Sequence, residues 1–211
     1  MSKVAAKRRW WQVKIGLKGY PFVFKSPSLT SLWPWASNIK VKRDNIIMKA
    51  VVIESTGGMD SLSCKPNHPL PNNVPSGYVL VKNEYAGLNY IDTYHRSGLY
   101  PRECPFILGQ EGGGTIALLS SEDDTTSIEL KVGDRVVYSV FGSYAEYTLV
   151  PIDKVIPVPT ELDMQTAVAC VVQGLTAHYL SSSVGSGIAK SGDWVLVYSV
   201  GSGCGQWTHE C

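Results

Sequence analysis

The sequence has no CxxC pair, no run of about 18 apolar residues and no large net charge, and each absence removes a class of protein. Its five cysteines (Cys64, Cys104, Cys170, Cys204, Cys211) are an odd number without metal-knot spacing. A disulfide framework is therefore excluded in favour of reduced thiols. Without a long apolar run there is no candidate membrane span. No short apolar stretch behind a basic start ends in a small-residue cleavage site, so a secretory signal is not expected. Apolar content of 44% and charged content of 18% describe ordinary globular material.

The net charge of +1 conceals an asymmetry. Residues 1–47 hold ten basic side chains and a single acid, Asp44, whereas 17 of the 18 acidic groups lie from Met48 onward. An acidic body argues against nucleic acid as its partner. The first segment also carries Trp10, Trp11, Trp33 and Trp35, and Pro21, Pro27 and Pro34 break any helix there. It reads as a basic N-terminal extension, either disordered or transit-like, or as an untidy lead-in to a start at Met48.

From Met48 the pattern is regular. Residues 49–54 (KAVVIE) form a short β-rich run closed by Gly57 and Gly58, and residues 78–85 (YVLVKNEY) alternate like a half-buried strand. Residues 89–97 predict a short helix ended by Gly98. Further strands are expected after Gly112–Gly114, over 135–140, over 143–150 and over 155–158, with a turn at Val132-Gly133-Asp134. Many short strands between turns indicate an irregular β-barrel. After Pro159 the period lengthens. Met164, Val168, Val171, Val172, Leu175 and Tyr179 recur at three and four residues behind Asp163, which predicts a helix with one buried face. Residues 181–191 read as a Ser/Gly loop. Residues 194–198 (WVLVY) then read as a parallel strand covered on both faces, followed by the Gly/Ser loop 199–205. A buried strand entering such a loop is how a dinucleotide-binding unit begins. No helix of normal length and no ribose-selecting residue about 20 positions on is expected after it.

Several ordered motifs carry a more specific message: MKAVVIESTGG from Met48, AGLNYIDTYHRSGLYP over 86–101, GQEGGG over 109–114, KVGDRVVY over 131–138, VQGLTAHYL over 172–180 and DWVLVYS over 193–199. Together they resemble the quinone oxidoreductase (zeta-crystallin-like) branch of the medium-chain dehydrogenase/reductase superfamily. The resemblance implies an α+β fold: a GroES-like irregular β-barrel over residues 48–160, then over 161–211 the first helix, strand and Gly-rich loop of a truncated Rossmann domain. It implies NADPH as cofactor, a quinone or related carbonyl as substrate, no zinc, and a homodimer whose Rossmann contact surface is missing here. Asn89, Asp92, Tyr94 and Tyr100 match the first-domain residues that line the nicotinamide and substrate cleft. Gln173 and Thr176 match helix residues beside the cofactor, and Gly203 and Gly205 match the phosphate loop. Ser202 departs from the family, standing where the first loop glycine is usual.

Zinc enzymes of the superfamily place Cys near the Asn89 position and His before the Glu of a GHE motif. Here Asn89 and Gln110-Glu111 stand there, and an amide is a poor zinc ligand. Cys170, His68, His95, His178 and His209 are scattered and read as ordinary residues. Taken without the resemblance, Tyr85, Tyr90, Tyr94 and Tyr100 are equally plain core or surface of a β-domain. The expected protein is a cytoplasmic one, or an organellar one if residues 1–47 are a transit segment. Its turnover is expected to be weak or absent because of the short Rossmann portion. The alternatives are a non-catalytic GroES-like module and an incomplete gene product.

Overall fold

The computed structural model describes residues 12–13, 23–25, 46–120, 130–184 and 192–210. The tryptophans at 10, 11, 33 and 35 and most of the basic extension lie outside these residues. Two short strands of that segment are described: β1 (Gln12–Val13) and β2 (Val23–Lys25).

The body holds β3 (Ile47–Ile53), β4 (Leu62–Pro69), β5 (Tyr78–Gly87), β6 (Phe106–Ile107), β7 (Glu111–Leu119), β8 (Arg135–Tyr138), β9 (Tyr147–Pro151) and β10 (Val155–Pro157). One curled sheet runs β1-β2-β5-β7-β8-β10, with β9 also on β5, and a second runs β4-β3-β6. Every pairing is antiparallel, which short connections permit. β9 covers the β5 edge at Tyr78 to Lys82, and β2 covers the same strand at Tyr85 to Gly87. The two sheets meet at Ala50 and Ala145. The result is the irregular β-barrel that the sequence predicts.

Period-two alternation holds in β9, whereas β5, expected to be half-buried, is covered on both faces at Val79, Leu80 and Val81. Val79 and Val81 join Ile116, Val136, Tyr138 and Val150 in the main core. Within the body, two strands are not foreshadowed by the sequence pattern, and neither are β1 and β2 before it. β4 carries Pro66 and Pro69 and is mostly exposed, as an edge strand can be. β6 has only two residues. The strand expected over 143–150 starts later, at Tyr147, because residues 143–145 turn inward to bind Asn83 and Leu108.

The helices are α1 (Tyr90–Ser97), α2 (Met164–Ala169), α3 (Leu175–His178) and α4 (Gly203–Glu210). Gly98 ends α1 at φ +84, the left-handed conformation that glycine takes without cost. Asp163 caps α2: its Oδ1 accepts from Thr166 N at 2.9 Å and its Oδ2 from Thr166 Oγ1 at 2.7 Å. Met164, Ala167, Val168 and Val171 bury the predicted face, packing on Gly113 and Val137 of the sheet. A side chain at Gly113 would collide with Val168 and Met164, so glycine is what lets the helix approach.

The predicted stripe does not continue. Leu175 and Tyr179 are more than half exposed, and residues Cys170–Gly174 widen into a π-type turn. Val172 N–H leaves the helical ladder there to bond a side chain of the β-domain.

Residues 194–198 do not form the expected strand. Trp194 is fully exposed, and Leu196 and Tyr198 nearly so. A doubly covered parallel strand needs neighbouring strands, and the described residues offer it none. Conversely, α4 follows the Gly/Ser loop although no helix of normal length was expected there. Residues 185–191 of the predicted loop, and Cys211, lie outside the described residues. Cys64, Cys104, Cys170 and Cys204 are free thiols. Among the described residues no helix is long and apolar enough to cross a membrane.

Candidate cofactor cleft

Asn89 closes the loop between β5 and α1 and is buried. Its Nδ2 donates to Glu111 Oε1 at 2.7 Å. The other carboxylate oxygen, Glu111 Oε2, accepts from the Val172 backbone N–H at 2.6 Å. One side chain thus joins the barrel to the widened turn of the helix. Gln173, the next residue, donates from Nε2 to Asn89 Oδ1 at 3.3 Å and to Leu88 O at 3.2 Å. In the sequence Glu111 mattered only for the question of zinc, yet it is the centre of this network. The available signal was a single acid inside an otherwise apolar and glycine-rich run, GQEGGGTIAL.

Glu111 has no exposed surface. Burial pushes its carboxyl up to about 7; the nearby Asp92 charge pushes the same way, while the bonds from Val172 and Asn89 oppose it. Gly87 makes the seat for this carboxylate, because a Cβ there would occupy its place.

Asp92 sits in the first turn of α1. Its Oδ2 accepts from the Asn89 backbone N–H at 2.9 Å and from Tyr144 Oη at 2.7 Å. Burial raises its pKa, against the opposing bonds from Tyr144 and Asn89. The Tyr144 hydroxyl is itself pushed well up by burial and the Asp92 charge, so it stays a donor. Asp92 and Arg96, one turn apart, share one face of α1 and line an apolar cavity of about 400 Å³ with Val51, Leu62, Leu108 and Tyr144.

Tyr90 and Tyr94 occupy the opposite face. The Tyr94 ring stands 5.4 Å from Tyr90 and 5.2 Å from Tyr100, and Tyr100 contacts His95 at 5.7 Å. His95 also meets Phe141 edge-on at 4.7 Å. Tyr94 and Tyr100 therefore come together as a half-open aromatic wall, while Asn89, Asp92 and Gln173 come together in the buried network. Thr176 lies one turn beyond Val172, exposed, its hydroxyl donating back to Val172 O at 2.5 Å.

Gly203 and Gly205 open α4 directly over Gln173. A side chain at Gly203 would strike the Gln173 amide, and one at Gly205 would strike the Ser199 carbonyl. Ser202 caps the helix: its hydroxyl accepts from Gly205 N at 3.0 Å. The amides of Gly203 and Cys204 remain as the first-turn donors for an anion. These residues fit a dinucleotide phosphate through fewer amides than an all-glycine turn would offer. Among the described residues no three of His, Cys, Asp or Glu gather into a group that could hold a metal ion.

A barrel of this form with a polar cleft at its helix junction is the GroES-like domain of alcohol dehydrogenases, and residues 75–160 match the model of that family, the alcohol dehydrogenase GroES-like domain. Among curated proteins, the chain is 44% identical over 137 residues to a probable quinone oxidoreductase of Schizosaccharomyces pombe, covering 64% of this chain and 40% of that protein. It is 34% identical over 169 residues to a quinone oxidoreductase of Pseudomonas aeruginosa, covering 75% and 49%. A mycobacterial protein solved in complex with NADPH superposes with a TM-score of 0.71 at 39% identity, covering 76% of this chain and 48% of that one. Residues 75–160 thus belong to the alcohol dehydrogenase GroES-like family, and over the matched residues the chain is similar to quinone oxidoreductases. It spans about half the length, or somewhat less, of the relatives it matches.

Proposed function

We propose that the chain carries the β-domain wall of a zinc-independent NADPH:quinone reductase. Residues 48–160 would form that catalytic wall and residues 161–211 the first part of the nucleotide-binding side. The observation that carries this reading is the bonded path from Glu111 through Asn89 to Gln173, which ends under Gly203 at the start of α4. It joins, in one network, positions that the family uses on both sides of its cleft.

When bound, NADPH supplies the hydride, and the protein's part is orientation and exclusion of water. Asn89 and Gln173 position the nicotinamide end, with Thr176 beside them. The amides of Gly203 and Cys204 receive phosphate, and Gly205 keeps the turn tight. Tyr94 and Tyr100 offer ring faces to a flat quinone. Asp92 holds the first turn of α1, and with it Asn89, in place. No side chain is needed as a covalent nucleophile. The Asn89 amide, already bonded to Glu111 and Gln173, supports independence from zinc.

A second reading, a GroES-like module without turnover, is favoured by the exposed apolar residues 194–198 and by the Ser202 cap that occupies the Gly205 amide. The experiment is NADPH binding by fluorescence on the 211-residue chain, followed by quinone-dependent NADPH loss with and without a chelator. Submillimolar binding with chelator-insensitive NADPH loss, even at a weak rate, supports the reductase reading for this chain. A cooperatively folded chain that binds no NADPH overturns the reductase reading and leaves the module.

A further inference from the structure

We propose that Glu111 is a positioning residue: as an acceptor-only group it sets the orientation of two amides in series, Asn89 and Gln173, so that Gln173 turns its carbonyl oxygen toward α4 and a bound dinucleotide. This rests on the NADPH reading only for the identity of the ligand. The orientation itself follows from the chain's own hydrogen bonds.

Each amide along the network has one orientation left to it. An ionised carboxylate accepts and cannot donate. One oxygen of Glu111 is taken by the Val172 main-chain N–H, which cannot turn round. The other faces Asn89, which must present its amino group, and the Nδ2 to Oε1 distance is 2.7 Å. The carbonyl of Asn89 is thereby turned away from the barrel. It faces Gln173, so Gln173 must offer its own amino group to it and to Leu88 O. The Gln173 carbonyl is left over, buried and without a partner. It lies where Gly203 leaves no room for a side chain. A buried acceptor without a bond is costly, and a ligand donor removes that cost. The chemical class read at this point is a hydrogen-bond donor on the dinucleotide: a carboxamide NH2 or a ribose hydroxyl.

The charged and titratable groups near Glu111 are Asp92 and Tyr144 from the barrel side and Cys170 from the helix, whose thiol burial and the Glu111 charge push up. The hydrogen bonds that favour the Glu111 carboxylate come from Val172 N–H and the Asn89 amide. These two donors hold Glu111 as the acceptor from which the orientation follows.

Glu111→Gln tests the relay because it keeps the shape and changes one acceptor into a donor. Its carbonyl must go to Val172 N–H, so its amino group faces Asn89 and reverses that amide. Asn89 then presents its amino group to Gln173, which regains that bond by turning over at the expense of its bond to Leu88 O and so shows an amino group to the ligand. The double variant Glu111→Gln with Asn89→Asp restores the original direction, since the carboxylate introduced at position 89 accepts from both neighbouring amides. Measurements are made well above the value of about 7 to which burial pushes Glu111.

Two readouts are taken on the full chain. The first needs no ligand: exchange of the assigned Gln173 side-chain NH2 protons by NMR, slow in the parent, fast in the single variant and slow again in the double variant. The second is NADPH affinity, expected to fall about tenfold in the single variant, the size of one mismatched hydrogen bond; the double variant is read by proton exchange alone, because Asn89 itself faces the nicotinamide end. Reduced 3-acetylpyridine adenine dinucleotide phosphate lacks the carboxamide NH2 but keeps the ribose hydroxyls. Loss of the variant effect with this analogue assigns the donor to the carboxamide, and its persistence assigns it to the ribose.

Unchanged proton exchange and affinity in the single variant overturn the relay, as does a double variant whose exchange is as fast as that of the single. A parent chain that binds no NADPH overturns the functional reading instead, and the exchange arm still decides the relay.

Discussion

Replacing Asn83 by leucine isolates the polar knot that ties the barrel to the cleft. Asn83 is 4% exposed on β5. Its Nδ2 donates to Ala145 O at 2.8 Å and to Thr148 Oγ1 at 2.9 Å, and its Oδ1 accepts from Tyr138 Oη at 2.6 Å. Leucine has the same forked outline with bulkier methyl ends, so no cavity opens and the lost hydrogen bonds carry most of the cost. Two buried groups lose a short bond to Asn83, the Tyr138 hydroxyl and the Ala145 carbonyl, and the Ser143 carbonyl loses a longer one of 3.4 Å. Thr148 keeps its bond to Gly142 O. At about 1 to 3 kcal/mol for each group left unsatisfied, Asn83→Leu should cost about 4 kcal/mol. That is a large part of the total stability of a domain, and it lowers Tm by roughly 10 °C at this chain length. Tyr138→Phe in the same background removes one of the two orphans and should return about 1 to 3 kcal/mol, so the double variant is more stable than the single. Urea denaturation of the four proteins of this cycle is the assay. A cost below about 1 kcal/mol for Asn83→Leu, or a double variant less stable than the single, refutes the reasoning. The consequence reaches the cleft, because Asn83 anchors the loop from which Tyr144 bonds Asp92.

Other expectations are independent of that knot. Glu111 has a folded value of about 7 against an ordinary 4.5, so its contribution to stability is fully present below about 4.5 and is lost as pH rises through 7. A shift of that size corresponds to about 3 kcal/mol, and Glu111→Gln should flatten this fall when stability is measured by urea denaturation from about pH 5 to 8. Gly87→Ala places a methyl group where the Glu111 carboxylate lies, and should destabilise the chain by roughly 2 kcal/mol in the same assay and weaken or abolish NADPH binding. Leu196→Asp, at a position 77% exposed, should change Tm by less than about 2 °C and reduce light scattering on heating, since it removes apolar surface that no described residue covers. A fall in Tm of many degrees would show instead that residues 194–198 are packed. Asp163→Ala removes the α2 cap and should cost about 1 kcal/mol in urea denaturation.

Much of the fold was legible because local pattern and tertiary environment agree in it. β9 alternates, burying Thr148 and Val150 between partly exposed Tyr147, Leu149 and Pro151, and Gly98 ends α1 because only a residue at ease with positive φ continues the chain there. Where the two disagree, the sequence misled. β4 has no alternation because both its faces are largely exposed, and its existence depends on the hydrogen bonds offered by β3. WVLVY has a strand's composition, but a strand is a relation between chains of backbone, and none lies beside it among the described residues. The helix after Pro159 kept its stripe only as far as the sheet beneath it extends.

The candidate site divides in the same way. The residue types were visible: Asn89, Asp92, Tyr94 and Tyr100 in one motif, Gln173 and Thr176 in another, Gly203 and Gly205 in a loop. Sequence alone determined the family resemblance, the β-rich body and the lack of a zinc-type ligand at Asn89. Tertiary structure decided what those residues do to one another. It separated Asp92 from the tyrosines by putting them on opposite faces of α1, and it brought Glu111 to within 2.6 Å of a backbone amide 61 residues further on. The physical reason is that a carboxylate's meaning lies in its surroundings. On a surface Glu111 would be one more acid among 18. Sealed under Gly87, it must find donors, and the two within reach join the barrel to the helix.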